Sequence, residues 1–393
     1  MRLRKKGSGH YLKTSTLTRK LFYTVLLFCI FLPGFTQEPA PAEDKRYPFV
    51  QANFHTGSFW TRSEYLKELF SMPYMAIEAR FGYQLDGRKL WQQYHRYPKY
   101  GFGIHYADLV RDPSDTIVGN PLSIFGFYSA PWVRFGRFTL ATDLSVGLSY
   151  MGRIHDFETN PYNDVIASHV NLYLDYSLNL NLQVSSRLGI NTGYGLTHYS
   201  NGRIQNPQKG VNNWGWNFGM SYLLKGPVNA FIYQDPPEFK PSESLEFMYA
   251  VGTVEAIPDR STTEYRFFTC SFTTDYVYRY SQKGAVIFGL DVLYDGSLAR
   301  SIKGVPPEEV TTWEKMYLAS HLGYHFIVDR LTILFNLGTY FRQSSYDRGY
   351  YFARAGARYR FTDHLFGHLA IKSKNGIRSD WIEWGAAYAL NIR

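Results

Sequence analysis

From residue 47 to its end the chain is dominated by a period of two, and the two registers differ consistently in polarity. Between 172 and 184 the even positions are Leu172, Leu174, Tyr176, Leu178, Leu180, Leu182 and Val184, while the odd ones are Tyr173, Asp175, Ser177, Asn179, Asn181 and Gln183. Successive side chains of a strand point to opposite faces, so this segment has one apolar face and one mostly polar face. The same split recurs in 138–150 and 188–197, and again in 286–294, 333–337 and 382–390. Gly, Asn, Asp, Pro and Ser separate the segments, as turns separate strands.

A soluble sandwich also alternates, so further features must choose between the two environments. Many segments reach ten residues or more, and Tyr and Trp gather at their ends, as in the aromatic girdles of outer-membrane barrels. Aromatic residues make up 18% of the chain and charged ones only 19%, which excludes a disordered chain. After residue 40 no apolar run approaches the roughly 20 residues a spanning helix needs, so a helical transporter or channel is excluded. Strands that face lipid cannot leave an edge open and must close. The expected fold is all-β, a transmembrane antiparallel barrel of the bacterial outer membrane.

The N-terminus supports that address. Seven basic residues precede position 21 with no acid among them, and Leu21 to Leu32 form an apolar stretch too short to span as a helix. Residues 1–37 are expected to be a signal peptide removed by cleavage. Those seven charges belong to the leader, so the net +9 falls to +2 in the remainder and no nucleic-acid partner is indicated. After cleavage Cys270 would stand alone, without an internal disulfide.

Eight strands are expected up to residue 224 and eight more from 244 to 393, joined by a proline-rich connection over 225–243. The favoured arrangement is one barrel of about 12–16 strands, with 47–224 and 244–393 as its halves. The alternative is two tandem eight-stranded barrels. A faint echo of the Ser200 region at Ser373-Lys374-Asn375-Gly376, followed by Trp381 to Gly385, hints at duplication.

One segment could carry chemistry, the run from Thr197 through His198-Tyr199-Ser200-Asn201-Gly202-Arg203 to Asn212-Asn213-Trp214. Residues two apart on a strand share a face about 6.6 Å apart, so His198 and Ser200 can approach each other. A hydroxyl beside an imidazole is an activatable nucleophile. The parity of 188–196 places both on the apolar, lipid-facing side, and the parity of the next strand puts Asn212 there too. An antiparallel neighbour would bring the Asn212 amide against the imidazole as its orienter. Asn201 and Gly202 are candidates for an oxyanion hole, and Arg203 for contact with a lipid phosphate. His321 with His325 and His364 with His368 are spaced four apart and would share polar faces, but lack a third ligand, so no metal is expected.

The run His198-Tyr199-Ser200-Asn201-Gly202, with Pro207, Gly210 and position 212, resembles the lipid A 3-O-deacylase (acyloxyacyl hydrolase) family of outer-membrane enzymes. In that family a His and a Ser on a strand of an eight-stranded barrel cleave an acyl ester. The family's acidic third member falls at position 212, which is Asn here. The same run with Asn212 is also similar to outer-membrane phospholipase A, whose triad is Ser, His and Asn and which uses calcium. Pro207 and Gly210 favour the deacylase resemblance. It implies lipid A or lipopolysaccharide as substrate, with Ser200, His198 and Asn212 as the catalytic set and no cofactor; the phospholipase resemblance implies a phospholipid and calcium. A barrel without catalysis, a porin or structural protein, is the third reading.

Overall fold

In a computed structural model, residues 46–392 are described apart from 62, 64, 65, 67, 69, 71, 110–116, 208, 227, 229, 230, 236, 257–264, 301–305, 346–348 and 377. The expected signal peptide over residues 1–37, and its cleavage, lie outside these residues. The first eight strands are β1 (Tyr47–Trp60), β2 (Tyr74–Gln84), β3 (Lys99–Asp108), β4 (Leu122–Phe135), β5 (Phe138–Tyr150), β6 (Val170–Gln183), β7 (Leu188–Ser200) and β8 (Val211–Leu223). The second eight are β9 (Ser242–Ala256), β10 (Tyr265–Arg279), β11 (Gly284–Asp295), β12 (Met316–Val328), β13 (Leu331–Arg342), β14 (Tyr351–Arg360), β15 (Leu365–Lys374) and β16 (Arg378–Asn391).

The chain closes twice. β1 pairs antiparallel with β8 from Phe49↔Leu223 to Trp60↔Asn212, and β16 pairs with β9 from Trp384↔Val251 to Asn391↔Ser244. The result is two closed barrels of eight strands each, not the single larger barrel that the strand count favoured. The physical reason is that β1 and β8 satisfy each other's ladder, leaving no edge on which the second half could add.

Both interiors are packed. An eight-stranded barrel has an interior just wide enough for side chains to fill or for one small ligand. In the first barrel Arg80 donates from Nε to Glu78 Oε1 at 2.6 Å and from Nη1 to Asp143 Oδ2 at 2.7 Å, and Asn53 Nδ2 donates to Glu78 Oε1 at 2.5 Å. In the second, Arg354 donates from Nε to Glu383 Oε2 at 2.7 Å and from Nη2 to Asp291 Oδ1 at 2.8 Å. Arg358 bonds Asp275 at 3.0 Å and also Glu246. Paired charges of this kind lie inside both barrels, each charge compensated by a partner.

The outer faces are apolar: Ile77, Phe102, Ile124, Trp216 and Leu322 are all more than half exposed. Successive connections alternate between the two ends of each barrel. In the first barrel the β1–β2, β3–β4, β5–β6 and β7–β8 connections, ten residues or more each, form the long-loop end; at the other end 136–137 and 184–187 are tight turns, while 85–98 is a longer connection that carries a short helix, Leu90–Tyr94. Outer-membrane barrels put their long loops outside the cell.

Candidate active site

The site is built on the last turn of β7 at the long-loop end. Alternation along β7 sends Thr197 and Tyr199 into the lumen, where both are buried, and His198 outward, where it is half-buried. Register then pairs His198 with Asn212 of β8 on one side and Leu174 of β6 on the other. His198 Nδ1 donates to Asn212 Oδ1 at 2.7 Å. With Nδ1 carrying the proton, the lone pair lies on Nε2, the nitrogen a general base needs.

Ser200, paired with Leu172, ends the strand on the same face as His198. It is less open than parity alone suggests, being only 4% exposed, and its Oγ has no hydrogen-bond partner. The chain folds back over it at Gly210, whose φ is +71°. A Cβ at position 210 would lie 3.2 Å from His198 Cε1 and 3.5 Å from Ser200 Cβ, so the two side chains flank the same point. Glycine suits the position because φ is positive, and a Cβ would also be tight against the Tyr199 carbonyl oxygen, 3.0 Å away. No hydrogen bond joins Ser200 to His198. Such bonds commonly tighten only when substrate is bound.

Behind the pair, the lumen side of β7 is solid. Tyr199 is fully buried, stacks obliquely on Tyr173 with ring centroids 5.6 Å apart and places its hydroxyl 3.4 Å from His105 Nδ1. Thr197 Oγ1 donates to Asp175 Oδ2 at 2.9 Å. Toward the barrel's middle, the outer face presents Tyr194 with Trp214 and Trp216, the indoles 6.3 Å and 5.2 Å from the phenol ring. The candidate nucleophile therefore sits at the top of an aromatic wall on a rigid strand.

The remaining predicted site residues, Asn201, Gly202 and Arg203, lie in the loop that follows β7. Asn201 is turned into its own loop: its Oδ1 accepts from the Arg203 N–H at 3.0 Å and its Nδ2 donates to the Gln205 carbonyl at 3.0 Å. Gly202 has φ +62°. Arg203, expected to meet lipid phosphate, is engaged by the second barrel, where Nη1 donates to Asp380 Oδ1 at 3.3 Å.

Of the spaced histidines, His321 and His325 share the lumen face as expected, while His364 and His368 separate. His321 and His368 are lumen residues held by carboxylates, with His321 Nδ1 2.6 Å from Asp291 Oδ2 and His368 Nε2 3.5 Å from Glu383 Oε2; His325 is buried in the same lumen. His364, expected on that polar face, lies instead in the β14–β15 turn and donates to the Ala389 carbonyl at 2.9 Å. Among the described residues no group of three His, Cys, Asp or Glu is arranged around a common metal position.

The echo at Ser373–Gly376 lies at the end of β15, the counterpart of β7. Aligning Asn375-Gly376 with Asn201-Gly202 sets Lys372 and Lys374 against His198 and Ser200. Lys372 points into the lumen and donates to Asp380 at 2.8 Å. The second barrel has no hydroxyl and imidazole pair at this place.

Two family models match in succession. Lipid A 3-O-deacylase (PagL) covers residues 75–221, and the acyloxyacyl hydrolase C-terminal domain covers 243–392. No curated protein matches the chain. Among solved structures, Neisserial surface protein A is 11% identical, with TM-score 0.32, over 45% of this chain and 97% of its own. A Rh. blastica porin mutant is 8% identical, with TM-score 0.18, over 87% of this chain and all of its own. At those scores neither structure bears on function. The deacylase model ends two residues before the end of β8 and the C-terminal model begins on the second residue of β9, so each model falls on one of the two barrels. With both in one sequence, the chain belongs to the lipid A 3-O-deacylase family of outer-membrane hydrolases.

Proposed function

We propose that the protein removes an ester-linked acyl chain from lipid A, with Ser200 as nucleophile, His198 as general base and acid, and Asn212 as the orienter of His198. The 2.7 Å bond from His198 Nδ1 to Asn212 Oδ1, with Ser200 two residues on, is the observation that carries this reading. Nε2 of His198 takes the hydroxyl proton as Ser200 Oγ bonds to the ester carbonyl carbon. The tetrahedral intermediate collapses with cleavage of the bond to the sugar oxygen, which receives the proton from His198. Water then attacks the acyl-serine, His198 takes its proton and returns it to Ser200 Oγ, and a fatty acid leaves.

The substrate comes from the membrane plane. The acyl chain lies along Tyr194, Trp214 and Trp216, and the ester reaches Ser200 past His198, the more open member of the pair. Backbone N–H groups at Asn201 and Gly202 are the candidate oxyanion donors, since the Asn201 side chain is committed to its loop. No cofactor takes part.

The test is to incubate wild type and Ser200→Ala with lipopolysaccharide and weigh the lipid A by mass spectrometry. Wild type removes one acyl chain and Ser200→Ala removes none; equal acyl content in both overturns the reading. Asn212 in place of an acid favours a second reading, a phospholipase A. Faster hydrolysis of glycerophospholipid than of lipopolysaccharide, abolished by a calcium chelator, would establish it instead.

A further inference from the structure

We infer that the second barrel acts as a clamp on the loop following Ser200, with Asp380 and Glu255 as positioning residues for the reaction proposed at that serine. The inference rests on that catalytic reading.

The loop Asn201–Gly210 leaves β7 at the nucleophile and reaches across to the other barrel. Arg203 Nη1 donates to Asp380 Oδ1 at 3.3 Å, the Asn206 N–H donates to Glu255 Oε2 at 2.5 Å, and Asn206 Nδ2 donates to the Glu255 carbonyl at 3.1 Å. Between these two anchors Gly202 lies against Ile382: a Cβ there would stand 2.6 Å from its Cδ1. Asp380 is 0% and Glu255 1% exposed. Burying a carboxylate is costly unless its partners are fixed.

Asp380 is fixed from behind. Lys372 Nζ donates to Asp380 Oδ2 at 2.8 Å and to Tyr340 Oη at 2.6 Å, and sits 4.0 Å from the Trp381 ring centroid. A rigid lumen network thus ends on the residue that grips Arg203. From Arg203 the connection back to the nucleophile is short, because its N–H bonds the Asn201 side chain and Asn201 follows Ser200 directly. The sequence echo sets Lys372 against His198, but Lys372 faces the lumen where His198 faces outward, and β15 has a register shift directly after it.

The experiment uses the full chain in detergent micelles with lipopolysaccharide as substrate. Asp380→Asn, Glu255→Gln, Arg203→Gln and the Arg203→Gln/Asp380→Asn double variant are compared with wild type, each first checked for the heat-modifiable gel mobility of a closed barrel. Displacing catalytic groups by an ångström costs on the order of 100-fold. The single variants are expected to lose about 10- to 100-fold in kcat with KM within about twofold, and the double variant to lose no more than the worse single one. Arg203→Gln leaves the second barrel's own network intact, so it reports on the clamp even if Asp380→Asn does not fold. Ser200→Ala separates the two claims. If Ser200→Ala still hydrolyses, the catalytic reading fails. If it is inactive while Arg203→Gln and Glu255→Gln keep wild-type kcat, or the double variant's loss is the product of the single losses, the clamp alone fails.

Discussion

At the residue scale, the site depends on how closely the backbone is allowed to approach two side chains. Gly210 has φ +71°, and a Cβ there would be tight against the Tyr199 carbonyl oxygen at 3.0 Å and His198 Cε1 at 3.2 Å. Gly210→Ala should leave a closed barrel yet lower kcat by about 10- to 100-fold, because strain at a positive φ is relieved only by moving the segment that packs on His198 and Ser200. Steady-state hydrolysis of lipopolysaccharide checks it, and wild-type kcat would mean the packing over Ser200 is unimportant. Asn212 contributes one accepted hydrogen bond, which Asp can also supply and Leu cannot. Asn212→Asp should therefore keep activity within about tenfold, while Asn212→Leu loses about 100-fold or more through loss of the Nδ1 tautomer. The triad candidates were legible because strand parity and antiparallel register are arithmetic: two residues apart means one face, and a ten-residue loop returns Asn212 opposite His198. The partners of Asn201 and Arg203 were not legible. They depend on Gln205 within a turn and on Asp380, 177 positions away.

At the element scale, alternation marked the strands, and eight in each half is the number found, because each strand has one face in lipid and one in a packed lumen. What alternation could not decide was closure. Sixteen strands of the same pattern can make one wide barrel or two narrow ones, and the choice lies in whether β8 pairs with β1, a long-range contact without a local sequence mark. The proline-rich connection and the faint echo at Ser373-Lys374-Asn375-Gly376 were the visible clues. β7 also shows why a catalytic strand can be stiff. Tyr199 fills the lumen directly behind the pair and is fully buried. Tyr199→Ala should cost about 3–5 kcal/mol by opening a cavity, measured by urea titration of the protein folded into lipid bilayers. Tyr199→Phe, which loses only a 3.4 Å contact with His105, should cost under about 1 kcal/mol and keep activity. Equal destabilisation by the two would mean the hydroxyl, not the ring volume, holds the strand.

At the scale of the whole molecule, the two barrels are joined at both ends, and the joints differ in chemistry. At the long-loop end the contacts are charged, Arg203 to Asp380 and the Asn206 amide to Glu255. At the opposite end the joint is a neutral imidazole. His95 follows the short helix Leu90–Tyr94 between β2 and β3, donates from Nε2 to the Ile327 carbonyl at 2.9 Å and meets Phe326 edge-on at 5.1 Å. Burial holds its pKa at about 4, below the ordinary 6.5; the bond to Ile327 opposes that shift, and nearby Lys283 adds to it. A folded-state pKa below the unfolded value means the unfolded chain binds the proton more readily as pH falls. The contribution of His95 is therefore complete above about pH 6.5 and is lost between there and pH 4. Allowing for partial screening in a recess also lined by Arg279, Asp329 and Arg360, the loss should be on the order of 2 kcal/mol. Unfolding free energies of wild type and His95→Gln measured from pH 7.5 to 4 test this. Wild type should lose stability faster than His95→Gln across that window, because glutamine can still donate to Ile327 but does not titrate. Parallel curves would show that acid weakens the protein through its carboxylates alone, and that His95 only fills space between the barrels.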